Sequence, residues 1–235
     1  MGKFIFDRIC NWFFPIKCGY CGKITENYTY VCTQCKSEKN YEEMEFRCKL
    51  CGTKLFTEEK ICNKCNSKRI YYNELIYFAE YKDFFKSKML QYKFYDKKYL
   101  KHFFAQELSR YLVNIKVDYI TGVPITKKRL KERGYNQTNL IAKELGKILN
   151  IVYVPDILVK IKETQHQSQL SKTEREVNVK NVFCLSDTYD VKDKKILLID
   201  DIFTTGSTVN ECSKVLKQGQ AKSVIVATVL KKNNL

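Results

Sequence analysis

Residues 196–208 read Ile-Leu-Leu-Ile-Asp-Asp-Ile-Phe-Thr-Thr-Gly-Ser-Thr, and they decide the fold. Ile196 to Ile199 is a β-rich apolar run of the kind that fills a parallel strand buried on both faces. It ends on two acids, Asp200 and Asp201. A hydroxyl-rich turn follows from Thr204 to Thr208, and Val209 to Gln218 predicts a helix with Gly219 as its C-terminal stop. Strand, acidic pair, turn and helix start form one device. The turn and the first helical turn offer backbone N–H groups, the Thr204, Thr205, Ser207 and Thr208 hydroxyls and the positive end of the helix dipole, all suited to a phosphate dianion. Gly206 lets the backbone come close to it. The two carboxylates, about one sugar length away, are placed to accept hydrogen bonds from ribose hydroxyls. A strand capped by acids and followed by a Ser/Thr-capped helix explains each residue singly, but not the whole run.

Working outward, Tyr119-Ile120-Thr121-Gly122-Val123-Pro124 reads as a second buried strand, followed by a basic loop with Lys127, Lys128 and Arg129. Arg133-Gly134-Tyr135-Asn136-Gln137 comes next, ahead of a helix carrying Leu140, Ile141, Leu145, Ile148 and Leu149. Arg binds phosphate in a bidentate fork, whereas Lys acts as a point charge. Val224 to Val229 supplies a third strand. The expected fold is a doubly wound α/β sheet with these three runs as central parallel strands and a ligand at their C-terminal ends.

Eight of the 11 cysteines form four Cys-x-x-Cys pairs: Cys18/Cys21, Cys32/Cys35, Cys48/Cys51 and Cys62/Cys65. The spacing Cys-x2-Cys-x10-Cys-x2-Cys occurs twice, and each copy opens on Cys-x-x-Cys-Gly. Each such turn directs two thiolates to one point, and two turns complete the tetrahedral sulfur shell that zinc prefers. Gly22 and Gly52 can supply the positive φ that the turn requires. Two structural zinc ions are therefore expected, closed by protein sulfur and stabilising some 50 residues that contain few aliphatics. Sequential pairing, one ion per repeat, is the simplest assignment; an interleaved arrangement, with the first and last pairs sharing an ion, uses the same spacing. Cys10, Cys184 and Cys212 lie outside the pattern and read as small buried hydrophobes.

The remaining composition bounds the partners. The formal charge of +16 attracts phosphates, whether on nucleotides or along nucleic acid. Between Asn66 and Asn150 there are 18 Lys and Arg against 8 Asp and Glu, interleaved with Tyr and Phe as in YKDFFKSKMLQYKFYDKKYLKHFF. Aromatics among cations are what single-stranded nucleic acid surfaces use. The same stretch also places Leu100, Phe103, Phe104, Leu108, Tyr111 and Leu112 at the spacing of an amphipathic helix, and the core reading outweighs the binding one, leaving the lysines as a solvated face. No stretch reaches the roughly 20 apolar residues of a membrane helix. The aromatic N-terminus is interrupted by Asp7 and Arg8 and lacks a cleavage site, so a cytoplasmic chain is expected, which disfavours disulfides.

The run 196–208 resembles the phosphoribosyl pyrophosphate (PRPP) signature of type I phosphoribosyltransferases, and the upstream Arg133 to Gln137 resembles the Arg-Gly-Phe-Asn-Gln of the ComF family. Gln167-x-x-Leu170, Glu174-Arg175, Asn178 and Phe183 extend that resemblance, as does the cysteine module. It implies a double zinc ribbon at 18–66 after an N-terminal packing segment at 1–17, and a phosphoribosyltransferase-like domain at 67–235. By the same resemblance, Asp200 and Asp201 hold the ribose 2′ and 3′ hydroxyls, and Thr204, Thr205, Gly206, Ser207 and Thr208 hold the 5′-phosphate. Lys127, Lys128, Arg129 and Arg133 face pyrophosphate, Gln167 and Arg175 lie in a flexible loop over the site, and Mg²⁺ accompanies PRPP. Some purine-salvage members carry Asp where this chain has Thr204, and no base-binding hood is recognisable. Three functions follow: DNA uptake in transformation with single-stranded DNA and uptake-machinery proteins as partners, transfer to an unknown acceptor, or PRPP sensing as an adaptor.

Overall fold

The computed structural model describes residues 15–25, 29–38, 46–56, 58–162 and 181–233. The chain divides into two compact units, Met1–Glu43 and Met44–Leu235. In the first, Cys18 N donates to Lys23 O (2.8 Å) and Gly22 N to Cys18 O (2.9 Å), a knuckle closed by a bridge between Lys17 and Ile24. Gly22 takes φ 76° at the point where the knuckle reverses. Helix α1 (Thr33–Glu38) starts directly after Cys32 and carries Cys35, the other member of the second cysteine pair.

The larger unit begins with the same device. Cys48 N donates to Thr53 O (2.9 Å), Gly52 N to Cys48 O (2.7 Å), and Arg47 bridges Lys54. Helix α2 (Asn63–Asn66) completes it. Five strands form one parallel sheet: β1 (Glu74–Glu80), β2 (Tyr119–Gly122), β3 (Val152–Tyr153), β6 (Lys195–Phe203) and β7 (Ser223–Lys231), in the order β1-β7-β6-β2-β3. Strands β4 (Leu158–Lys160) and β5 (Phe183–Leu185) pair antiparallel as a separate ribbon. The helices are α3 (Asp83–Phe94), α4 (Leu100–Ser109), α5 (Lys127–Arg133), α6 (Gln137–Leu149) and α7 (Ser207–Gln218).

The three central strands stand where the apolar runs predict them, with Ile196 to Ile199 fully buried. Strand β6 continues four residues further than the apolar run, through both acids to Phe203, and α7 begins at Ser207, two residues early. The crossover from β2 through α6 runs to β3, while that from β6 through α7 runs to β7 on the other side. The direction in which the crossovers step across the sheet therefore reverses between the adjacent parallel strands β2 and β6. A crevice at the C-terminal ends of two such strands is where open α/β sheets bind ligands.

The expected basic loop is helix α5 instead. Thr126 caps it, its side chain accepting from Arg129 N at 3.3 Å, and Gly134 ends it in the left-handed region. The N-cap and the C′ glycine were both present in the sequence. Helix α4 carries the first four residues of the expected core stripe, Leu100, Phe103, Phe104 and Leu108, all buried; it ends at Ser109, so Leu112, also buried, and Tyr111, half-buried, lie beyond it, and Cys184 is only half-buried in contrast to Cys212. Cys10, Gln167 and Arg175 lie outside the described residues.

The second cysteine module shares the core of the sheet unit. Cys48, Leu50 and Cys65 belong to the same buried cluster as Tyr72, Leu75, Ile196 and Val224. Tyr72 Oη donates to Leu50 O (2.7 Å), and Leu75 N to Lys49 O (2.7 Å). A Cβ at Gly52 would lie 2.5 Å from Tyr77 Cε1 and 3.2 Å from Lys231 Cδ, whereas one at Gly22 would meet nothing within 4 Å among the described residues. Both glycines carry the left-handed backbone cost of about 1–2 kcal/mol for an L-residue; Gly52 adds a clash with a buried ring. Gly52→Ala should lower the unfolding midpoint of the sheet-bearing unit by roughly 5 °C or more, measured by calorimetry on the zinc-loaded chain. An unchanged midpoint would show that the module is not part of that core.

Candidate ribose and phosphate site

Because β6 runs on through the acids, its pleat sends successive carboxylates to opposite faces. Asp201 is 7% exposed and turns toward α3 and α6. Lys93 Nζ of α3 lies 2.8 Å from Asp201 Oδ2, and Gln137 Nε2 of α6 donates to the same oxygen at 3.1 Å. Burial opposes ionisation of Asp201, but the Lys93 charge, the hydrogen bonds from Lys93 and Gln137, and Arg133 overcome it and hold the carboxyl below its usual range. Asp200 lies opposite Thr228 in the ladder with β7, and its Oδ1 accepts from Asp201 N at 2.8 Å. Burial, reinforced by the Asp201 charge, pushes Asp200 up to about 7. Two adjacent carboxyls thus have separated affinities for protons, a pattern that marks functional sites.

The turn after β6 is shaped by Gly206, at φ 79°, which precedes α7. A Cβ there would sit 2.7 Å from Phe203 Cζ, so the loop can close only with glycine. Thr205 Oγ1 and Ser207 Oγ are 2.7 Å apart, and Asn210 N already donates to Gly206 O. The first turn of α7 therefore gathers hydroxyls and amide groups at the positive end of a 12-residue helix.

On the β2 side, Asn136 and Thr138 tie the start of α6 to the strand end. Asn136 Nδ2 and Thr138 Oγ1 both donate to Val123 O, at 3.1 and 2.7 Å, and Asn136 caps the helix. Tyr92 Oη donates to Gln137 O (2.8 Å), fixing α3 against α6. Of the four cations expected to face pyrophosphate, Lys127 and Lys128 are exposed, Arg129 is half-buried, and Arg133 stacks on Phe94 with its Cζ 5.1 Å from the ring centroid. The Arg133 charge is among the causes that hold Asp201 below its usual range.

Lys93 and Gln137 are the residues that sequence reasoning missed. The charge pattern puts Lys93 among the lysines of a solvated face, yet its side chain is only 15% exposed and paired with the acid. Nothing local distinguishes it from Lys86 or Lys88. Gln137 closes the quoted Arg-Gly-Tyr-Asn-Gln run, which was a usable signal.

The cysteines form two groups, Cys18/Cys21/Cys32/Cys35 and Cys48/Cys51/Cys62/Cys65, whose sulfurs all lie within 4.8 Å of one another. The sequential arrangement is the one adopted. Cys21 and Cys32 sulfurs are 3.7 Å apart, as are those of Cys51 and Cys62. A tetrahedron with zinc–sulfur bonds of about 2.3 Å has edges of about 3.8 Å, so the donor set fits zinc in kind and in size.

Residues 103–235 match the family model described as phosphoribosyl transferase domain, and residues 9–68 match that of the double zinc ribbon domain. Competence protein F of Haemophilus influenzae is 27% identical over 88% of this chain and 93% of its own. DNA utilization protein YhgH of Escherichia coli K12 is 26% identical over 89% and 87%. Competence protein ComFC of Streptococcus pneumoniae is 34% identical over 61% and 60%. The chain thus belongs to the phosphoribosyl transferase family, as a homologue of competence protein F, ComFC and YhgH that carries a double zinc ribbon ahead of its parallel sheet.

Proposed function

We propose that the chain binds PRPP at the switch between β2 and β6 and serves DNA uptake in transformation by handling single-stranded DNA. The observation that carries the PRPP reading is Asp201, kept ionised by Lys93 and Gln137 one short turn before the Gly206 loop. Gln137 Oε1 is buried and has no hydrogen-bond partner among the described residues, as expected of an acceptor reserved for a ligand hydroxyl. In this reading Asp200 and Asp201 receive the ribose hydroxyls, and Thr204 to Thr208 hold the 5′-phosphate. Arg133, with Lys127, Lys128 and Arg129, meets pyrophosphate, and Gln167 and Arg175 close over it. The carboxylate-rich, oxygen-only donor set suits Mg²⁺, which would neutralise charge on pyrophosphate when bound with PRPP. The ribbon occupies 18–66, and the transferase-like domain 67–235. The DNA part of the reading rests on the names of the homologues, competence and DNA utilization.

Transfer to an acceptor is the second reading, favoured by the separated proton affinities of the two acids. It requires PRPP-dependent pyrophosphate release, and no turnover across a broad acceptor panel would sink it.

Calorimetric titration with PRPP and Mg²⁺ should show one site per chain. Asp201→Asn should weaken it at least tenfold, about 1.4 kcal/mol, because a charged hydrogen-bond acceptor is lost. Equal affinity in the variant would remove Asp201 from the site.

Asp200 gives a pH test. A carboxyl whose folded pKa is raised keeps a proton that the unfolded chain has released, so the folded state loses stability as pH rises from about 4 to about 7. Asp200→Asn removes that loss. Its unfolding midpoint should exceed that of the parent by roughly 2 °C or more at pH 8, and the two should converge near pH 4. A gap of the same size at both pH values would show that Asp200 is not protonated in the fold.

A further inference from the structure

A cleft of about 930 Å³ is lined by the second ribbon, the end of β7, the start of α7 and the loop Thr204 to Ser207. Asp200 and Asp201 are not among its lining residues, so it is a second space that meets the ribose and phosphate site at that loop. Eight Lys and Arg side chains line it against two carboxylates, Glu80 and Glu211. The ribbon contributes Arg47, Lys54, Lys64 and Lys68, and the sheet side contributes Lys214, Lys231 and Lys232. Cations on both walls over that volume exceed what one phosphate needs and suit a chain of them.

Three features show that this wall is built. Lys231 is only 6% exposed and lies opposite Phe203 in the ladder between β6 and β7, with Asn233 Oδ1 at 2.6 Å from its Nζ. Holding a charged amine in that position is costly. Arg47 and Lys231 both lie over the Tyr77 ring, each 5.6 Å from its centroid, and the Arg69 guanidinium stacks 5.3 Å from the half-buried Tyr71. Asn210, on the first turn of α7, accepts from Tyr71 N (2.8 Å) and donates to Arg69 O (3.1 Å). The aromatic wall is thereby fixed to the same helix start that forms the phosphate loop.

The geometry points to a binding site for the phosphodiester backbone of single-stranded nucleic acid, built by the second zinc ribbon and continuous with the phosphate loop. The inference rests on the nucleic-acid part of the proposed function and gives the second ribbon a ligand-contacting role beyond its structural one. Spaced cations track the backbone while Tyr71 offers a stacking face.

The test is fluorescence anisotropy of a labelled oligo-dT with the full, zinc-loaded chain across a salt series. A Lys54→Glu, Lys64→Glu, Lys68→Glu variant alters exposed positions only. It should bind at least tenfold more weakly, with a log–log salt slope smaller by roughly 2. Tyr71→Ala should lose about fivefold or more. Both variants should keep the parent zinc content and PRPP titration. If the parent binds oligo-dT and the variants bind equally well, the cleft is not the site, while the nucleic-acid reading stands. If the parent fails to bind even at low salt, both fall. A duplex or inorganic polyphosphate binding as tightly as oligo-dT would overturn the single-strand assignment.

Discussion

The ion pair between Lys93 and Asp201 is the constraint around which the site is arranged. A carboxylate at the end of a strand buried on both faces cannot stay charged without a partner, because desolvation alone would protonate it. Lys93 reaches it from α3 and Gln137 from α6, so two helices separated by more than 40 residues must meet at one strand end. Tyr92, next to Lys93, donates to the Gln137 carbonyl, and this second tie sets the distance between the helices. Such a pair adds little net stability, and it is costly to break on one side. Its value is a carboxylate that is already ionised and oriented before a ligand arrives.

The second ribbon shows the same economy at the other edge of the sheet. Its cysteines join the core cluster, and its knuckle turns at Gly52 against Tyr77 of β1. Candidate zinc ligands, ribbon and sheet therefore share one set of buried contacts, and the linker Arg69 to Tyr71 is pinned to α7 by a single asparagine. A small metal module commonly folds on its own zinc. Here it also forms a wall beside the loop Thr204 to Ser207.

The fold was largely legible because its signals are local. The apolar run 196–199, the acids and the Thr-Gly-Ser-Thr turn each occupy adjacent residues, and the cysteine spacing carries its own geometry. What stayed hidden depends on the third dimension. Lys93 looks like any lysine of an amphipathic helix, since its partner is more than 100 residues away. The charge of 127–133 suggests a basic loop, whereas the Thr126 cap and the Gly134 stop make the stretch helical. Asp200 and Asp201 end the apolar pattern, so the sequence signal stops short of the full β6, which tertiary partners let continue through both acids. Two repeats with identical spacing differ in setting: among the described residues nothing stands within 4 Å of a Cβ at Gly22, whereas Gly52 turns against a buried ring.

The central claim is that the end of β6 and the start of α7 form one preorganised receptor for a phosphoribosyl group. A crystal structure of the chain with PRPP and Mg²⁺ tests it most directly. The account predicts a 5′-phosphate on the backbone amides at Gly206 to Thr208, ribose hydroxyls on Asp200 and Asp201, and β6 unmoved. A phosphate bound away from that loop, or a ribose that leaves both acids uncontacted, would contradict it.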